Sequence, residues 1–167
     1  MTGIATTTQP TTDIMIDIDV QHAGSDVVAP DHRLLRSWLQ SVADRHPDIG
    51  PAEICLRVVD ENESRQLNEA YRGKGRPTNV LSFAASSEAQ PPEGPRLLGD
   101  VVICGPVVSR EAVEQDKPLD DHWAHLLVHG TLHLLGYDHE SDDDATVMER
   151  LETEILGEHG IADPYVT

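Results

Sequence analysis

Basic residues are scarce in this sequence. Lysine and arginine number 12 among 167 residues, with only two lysines, against 30 aspartates and glutamates, so the formal net charge is −18. RNA is a polyanion and is attracted by basic surfaces, so the overall composition argues against a nucleic-acid-binding protein. The segment 64–81 differs, because it holds four cations and one acid, a net charge of +3. Those cations are Arg65, Arg72, Lys74 and Arg76, and by composition alone the segment is an ordinary solvated loop after a helix.

Long apolar runs and cysteine-rich patterns are also lacking. No run reaches the roughly 18 apolar residues of a membrane span. The first residues lack the basic region and apolar stretch of a secretory signal. The two cysteines, Cys55 and Cys104, lie in apolar, strand-like segments and are expected to be reduced core residues rather than a disulfide or metal pair. These absences predict a cytoplasmic protein with no membrane partner.

Apolar periodicity predicts the α+β class. Residues 1–12 are rich in threonine without periodicity and are predicted to be disordered, and residues 13–167 are predicted to form a single domain. Strands are predicted at 14–20, 53–59, 79–84 and 98–104. Helices are predicted from Asp31 to near Pro47, at 61–72, from Pro106 onwards, at about 120–135 and at about 142–157. Strands followed by packed helices indicate one four-stranded mixed sheet covered by helices.

Three histidines near the fourth predicted helix are spaced by four and by six residues. His129 and His133 would lie one turn apart on the same helix face and could bind one ion. Gly136 could adopt the left-handed conformation that ends a helix, and the turn would return His139 as a third ligand. Three neutral imidazoles with an open position are typical of a catalytic zinc site, so we predict one Zn²⁺ per chain. Nickel and copper also accept imidazole.

Other histidines lie on or near the same helix. His125 and His133 would be about 12 Å apart along the axis, which is too far for a shared ion with bonds of about 2 Å. We therefore predict that His125 packs beside the site or supports a ligand, and that His122 is solvated. No role in the site is predicted for His22, His32, His46 and His159.

The histidine spacing also occurs in metalloproteases. Their signature is His-Glu-x-x-His-x-x-Gly-x-x-His, in which the glutamate is the general base for peptide hydrolysis. Here Gly130 occupies the position of that glutamate. The pattern therefore predicts a zincin-like histidine helix with chemistry other than proteolysis, and a metal-dependent peptidase is kept as an alternative.

The acidic residues that follow the motif have simpler explanations than metal binding. Ser141 is predicted to cap the last helix, whose positive end the aspartates after it would favour. Asp138 could orient an imidazole or could belong to the turn, and the sequence favours neither.

The run 129–139 resembles the histidine motif of the YbeY family of bacterial endoribonucleases, which mature ribosomal RNA. Three further segments agree with the family in the same order, and they are Leu-Asn-Glu-Ala-Tyr-Arg (67–72), Arg-Pro-Thr-Asn-Val-Leu-Ser-Phe (76–83) and Leu-Gly-Asp-Val-Val-Ile-Cys (98–104). The resemblance covers the chain from about residue 50 onwards. One departure is Gly75, where the family usually has aspartate.

The resemblance implies a zinc-dependent endoribonuclease that cuts single-stranded RNA near the 3′ end of 16S ribosomal RNA and acts in ribosome quality control. Arg72 matches the family's functional arginine and is expected to stabilise the phosphate, although a surface arginine at a helix end is the alternative. Arg65, Lys74 and Arg76 are candidates for RNA contacts. A small-subunit ribosomal protein and the GTPase Era are implied as partners. A non-catalytic ribosome-assembly factor with a structural ion is a second alternative to the enzyme.

Overall fold

The computed structural model describes residues 15–24 and 26–166, so the predicted disordered segment 1–12 lies outside the described residues. Four strands are present in the described part: β1 (Ile16–Ala23), β2 (Ala52–Val59), β3 (Val80–Ala84) and β4 (Arg96–Cys104). The α-helices of the same part are α1 (His32–Asp44), α2 (Glu61–Arg72), α3 (Gly105–Glu114), α4 (Leu119–Leu134) and α5 (Asp142–Gly157).

The strands form one mixed sheet in the order β1-β2-β4-β3. β1 pairs with β2 and β2 pairs with β4 in parallel, whereas β3 pairs with β4 antiparallel. Parallel neighbours require long crossover connections, and α1 and α2 lie in those connections. The predicted α+β class with a four-stranded mixed sheet is therefore confirmed.

The sheet buries apolar side chains on both faces. Alternate residues of β4 separate the two cores: Val101 and Ile103 belong to the larger one and Val102 and Cys104 to the smaller one. Helices α1, α4 and α5 supply the larger core, whereas α2 and the start of α3 cover the smaller one at one end of the sheet. Both cysteines are free, as predicted. Cys104 is buried in the smaller core, whereas Cys55 is only partly buried and belongs to neither core, so the prediction of a core position is confirmed for Cys104 alone.

Most helix boundaries follow the sequence signals. The Asp60 side chain accepts a hydrogen bond from the Glu63 amide at the start of α2, and Gly73 ends that helix with φ 71°. The predicted cap at Ser141 is confirmed, since its hydroxyl accepts from the Asp144 amide. β4 begins two residues earlier than predicted, because Arg96 and Leu97 pair with β2. The strand is predicted from its apolar residues at 98–104, and that pattern does not indicate the pairing of the two preceding residues.

Helix α4 is nearly surrounded, because it contacts β3, β4 and the helices α1, α3 and α5. It approaches the sheet closely at Gly130, whose carbonyl accepts a hydrogen bond of 2.9 Å from the Ser82 hydroxyl. A Cβ at Gly130 would lie 2.8 Å from Val101 Cγ1 and 3.0 Å from Ser82 Oγ. The position where a metalloprotease carries its glutamate is therefore closed by the sheet, which disfavours the peptidase alternative.

Replacing Gly130 with alanine is expected to lower the free energy of unfolding. Alanine gains about 1 kcal/mol in helix propensity over glycine. Overpacking a close contact costs about 1–3 kcal/mol, so we expect a net loss of up to about 2 kcal/mol. Urea unfolding followed by circular dichroism measures the change.

Gly157→Ala is the matched control, because Gly157 is also helical and a Cβ there would meet nothing within 4 Å. We expect this variant to be as stable as the wild type or slightly more stable. A Gly130→Ala protein as stable as the Gly157→Ala protein would contradict the close approach of α4 to the sheet.

Candidate metal centre

The first two predicted ligands lie one turn apart on α4. The Nε2 atoms of His129 and His133 are 3.2 Å apart, and their ring centroids are 4.6 Å apart. Two nitrogens that bind one tetrahedral zinc at 2.0–2.1 Å are separated by about 3.3–3.4 Å. The observed spacing therefore fits a pair of ligands on one ion.

The other ring nitrogen of each of these histidines faces a hydrogen-bond acceptor. His133 Nδ1 lies 3.0 Å from the carbonyl oxygen of Tyr137, and His129 Nδ1 lies 3.2 Å from both carboxylate oxygens of Glu152. A carbonyl and an ionised carboxylate only accept hydrogen bonds, so both Nδ1 atoms donate. In the neutral imidazoles both Nε2 atoms then carry lone pairs that face each other. A cation between them removes this repulsion, so the donor set fits a metal ion.

The third predicted ligand is brought back by the turn after α4. Gly136 has φ 102°, and the Tyr137 amide donates to the Leu132 carbonyl at 3.1 Å. The ring of His139 then lies with its centroid 4.9 Å from that of His133, and each of the three histidines has a ligand nitrogen within 4.8 Å of the others. The predicted ligands are therefore brought together, and metal binding by them stays a prediction.

Asp138 belongs to the turn rather than to an imidazole. Its Oδ1 accepts a hydrogen bond of 2.6 Å from the backbone amide of His139. The turn is further anchored by Tyr137, whose hydroxyl donates to His46 Nε2 at 2.8 Å. His46 Nδ1 in turn donates to the Val42 carbonyl. His46 therefore anchors the turn through Tyr137.

The sequence did not point to Glu152, which lies fully buried behind His129. Its carboxylate accepts hydrogen bonds from His129, from His125 Nε2 at 3.1 Å and from the Tyr165 hydroxyl at 2.7 Å. Burial alone would raise the pKa of Glu152, but the hydrogen bonds from His125 and His129 outweigh it and lower the pKa to about 2. Glu152 is therefore an ionised buried carboxylate at neutral pH.

One sequence signal could have identified Glu152. It lies on the same stripe of α5 as the buried residues Met148 and Ile155, at spacings of four and three. An acid within an apolar stripe is unusual because a buried charge requires partners. Its partners come from α4 and from the last residues of the chain, which periodicity along α5 does not indicate.

The prediction for His122 is wrong. Its side chain is buried, and its Nε2 lies 2.8 Å from Glu111 Oε1, which also accepts from Asn79 Nδ2. Helix α3 packs against α4 and covers this position, which the spacing of histidines along one helix does not reveal. His125 is a supporting residue, as predicted, because it contacts Glu152. Burial lowers the pKa of His125 and of His133, so both favour the neutral form.

The three histidines share a cavity of about 790 Å³ with β3 and the end of α2. Arg72 and Tyr71 line the same cavity. The Gly73 amide donates to the Glu69 carbonyl and the Lys74 amide to the Asn68 carbonyl, so backbone amides rather than the Arg72 side chain cap these carbonyls of α2. Arg72 is exposed and forms no ion pair with any residue that the structure describes.

The other three basic candidates do not line this cavity. Arg65 donates to Asn62 Oδ1 at 2.7 Å, and Lys74 and Arg76 are exposed. Their contact with RNA stays a prediction. Gly75 also lies outside the cavity lining, and a Cβ there would lie 3.0 Å from Glu69 Oε2. An aspartate at this position would meet the Glu69 carboxylate, so like charges would lie close together.

Replacing one ligand should remove metal binding without unfolding the protein. We expect His133→Ala to weaken Zn²⁺ binding by more than the roughly 10- to 100-fold that follows from loss of an outer hydrogen bond. Titration of metal-free protein with Zn²⁺ against a chromophoric chelator measures the affinity. His22→Ala is the control, since His22 is exposed and bonds only to the Ala29 amide among the described residues. Equal affinity in the two variants would exclude the site.

The chain is similar to known proteins both in sequence and in structure. The family model described as Endoribonuclease YbeY matches residues 19–160. A protein of Halorhodospira halophila (strain DSM 244 / SL1) named Endoribonuclease YbeY is 50% identical over 152 residues, which cover 90% of this chain and 96% of that protein. The solution structure of TM1509 from Thermotoga maritima superposes with a TM-score of 0.56 at 26% identity, covering 92% of this chain and 100% of that one.

Among the described residues, none of the helices has the length and apolar character needed to cross a bilayer.

Proposed function

Because the chain belongs to the YbeY endoribonuclease family, we propose that it is a metal-dependent endoribonuclease that cuts single-stranded RNA. The observation that carries the proposal is one cavity shared by three convergent imidazoles and an unpaired arginine. In metal-dependent phosphodiester hydrolysis, an ion polarises a phosphoryl oxygen and a fixed positive charge stabilises the charge that develops on the phosphate.

His129, His133 and His139 would hold the ion. Ligation by imidazole alone favours zinc, with one ion per chain. When bound, a divalent ion would supply Lewis-acid chemistry by polarising a phosphoryl oxygen and making a water more acidic. The protein prepares the site by directing the Nδ1 protons of His129 and His133 away from the cavity, towards Glu152 and the Tyr137 carbonyl.

Arg72 would bind the phosphate. Attack on a phosphodiester places negative charge on the equatorial oxygens, and a planar guanidinium can donate two parallel hydrogen bonds to them. Arg72 lies at the end of α2 on the cavity wall, with no partner acid among the described residues to neutralise it. Arg65, Lys74 and Arg76 would contact the RNA backbone outside the cavity.

Replacing Arg72 with alanine should reduce RNA cleavage by about 10²–10³-fold, as expected for loss of one group that stabilises transition-state charge. Zinc content and melting temperature should remain those of the wild type. Cleavage of a fluorescent single-stranded RNA with zinc-loaded protein measures the effect. Arg33→Ala is the control, because Arg33 is exposed and lines a different cavity. Full cleavage by the Arg72→Ala protein would end this assignment.

Tyr71 supports the preference for single strands. Its side chain is 67% exposed, and its ring meets that of Phe83 edge-on at 4.8 Å on the wall of the same cavity. An unpaired base can stack on such a ring, whereas a base within a duplex already stacks on its neighbours. We propose that Tyr71 stacks with a base next to the phosphate that Arg72 binds.

Tyr71→Ala should weaken binding of single-stranded RNA by about 1–3 kcal/mol, the usual contribution of one stacked base. Tyr71→Phe keeps the ring and should bind RNA like the wild type. Fluorescence anisotropy with a short labelled RNA measures both variants, and the melting temperature monitors loss of the contact with Phe83. Equal affinities of the alanine and phenylalanine variants would exclude stacking.

The cellular role is proposed from the family resemblance. It is maturation of the 3′ end of 16S ribosomal RNA and ribosome quality control in the cytoplasm. The proposed partners are the small ribosomal subunit, one of its proteins and the GTPase Era.

A further inference from the structure

Glu152 is the most heavily hydrogen-bonded side chain near the site. Three side chains from two parts of the chain contact its buried carboxylate: His125 and His129 on α4, and Tyr165 beyond α5. The two His129 contacts are equal, with Nδ1 at 3.2 Å from each carboxylate oxygen. Such a symmetric contact fixes both the plane of the ring and the nitrogen that carries the proton.

We propose that Glu152, held in place by Tyr165, is a positioning residue that sets the tautomer of His129 and thereby the affinity of the metal site. The inference rests on the proposed function, because it takes His129 as a metal ligand. Glu152 itself lies behind the ring, on the side of Nδ1, whereas the predicted ion would lie on the side of Nε2.

The neighbours of Glu152 explain why it does not move. The Tyr165 hydroxyl donates to Oε1 at 2.7 Å, and the His125 ring bonds to the same oxygen through Nε2. His125 Nδ1 is buried without a hydrogen-bond partner among the described residues, so that ring is oriented through Nε2 alone. The carboxylate is therefore fixed from two sides, and only His129 links it to the predicted ion.

The Asp163 side chain positions Tyr165. The Tyr165 amide donates to Asp163 Oδ1 at 2.8 Å, and the Thr153 hydroxyl contacts the same oxygen at 3.3 Å. The ring meets that of His125 edge-on, with centroids 5.5 Å apart. The segment after α5 is therefore part of the metal centre, although none of its residues lines the cavity.

One alternative is that the cluster binds a metal itself. His125, His129 and Glu152 have ligand atoms within 4.8 Å of one another. In that case His129 would use Nδ1 as a ligand and could not donate to Glu152. The two explanations predict different numbers of bound ions and different positions of the His129 proton.

The first test uses metal-free protein, so it does not depend on catalysis. Nitrogen-15 NMR of the imidazoles reports which nitrogen of His129 carries the proton. We expect Nδ1 in the wild type, and a proton shared between both nitrogens in the Glu152→Gln variant. Glu154→Gln is the matched control, because Glu154 is exposed on the same helix and bonds to Arg45. A proton on Nε2 in the wild type, or no change in Glu152→Gln, would overturn the inference.

The second test measures Zn²⁺ affinity and stoichiometry by competition with a chelator. We expect Glu152→Gln to bind one ion with roughly 10- to 100-fold lower affinity than the wild type, the usual effect of losing an outer partner of a ligand. Tyr165→Phe keeps the ring, so its affinity for Zn²⁺ should fall by less than that of Glu152→Gln. The affinity of Glu154→Gln should equal that of the wild type. Two tight ions in the wild type and one in Glu152→Gln would make Glu152 a ligand and overturn the inference.

The two proposals fail in different ways. If zinc binds and Glu152→Gln weakens it, but no variant or wild type cuts RNA, the positioning role stands and the proposed activity fails. If the wild type cuts RNA with zinc and Glu152→Gln binds zinc with unchanged affinity, the activity stands and the positioning role fails.

Discussion

The close approach of α4 to strands β3 and β4 is the contact on which the site depends. At Gly130 the helix has no side chain, so the Ser82 hydroxyl reaches the helix backbone and Val101 packs against it. This contact sets the position of the flanking turn of α4, which carries His129 and His133. Both imidazoles consequently share a cavity with β3 and are partly buried. A larger residue at this position would push the helix and its histidines away from that wall.

A second constraint is that each histidine ring on the mostly apolar helix α4 needs a hydrogen-bond partner. Each of four histidines on α4 has a specific acceptor: Glu111 for His122, Glu152 for His125 and His129, and the Tyr137 carbonyl for His133. Unpaired, each buried ring would cost free energy, so these acceptors make the histidine-rich helix compatible with the core. The same bonds leave the Nε2 atoms of His129 and His133 free to face each other. Stability of the helix and preparation of the proposed metal site therefore use the same contacts.

The net charge of −18 disfavours RNA binding by the chain as a whole, and only the local charge at the cavity favours it. Among the described acids, Asp138 is the one that lines the cavity. Two acids within the helix packing, Glu111 and Glu152, accept hydrogen bonds from histidines. Positive charge at the cavity comes from Arg72 and from the proposed ion, not from a broad basic surface. Interactions between exposed charges are screened over about 8 Å at physiological ionic strength, so in the proposed function the groups at the cavity would dominate contacts with the phosphate.

The sequence by itself determined the α+β class, most helix boundaries, the family and the three convergent histidines. These depend on local rules: the period of apolar residues, the caps at Ser141 and Gly73, and the spacing of four that places two side chains on one helix face. Tertiary structure alone decided the burial of His122, the burial and hydrogen-bond partners of Glu152, and the contact of Glu152 with Tyr165. Each of these depends on which helix or terminal segment packs beside α4, and contacts between residues 11 to 40 positions apart leave no periodic signal along the chain.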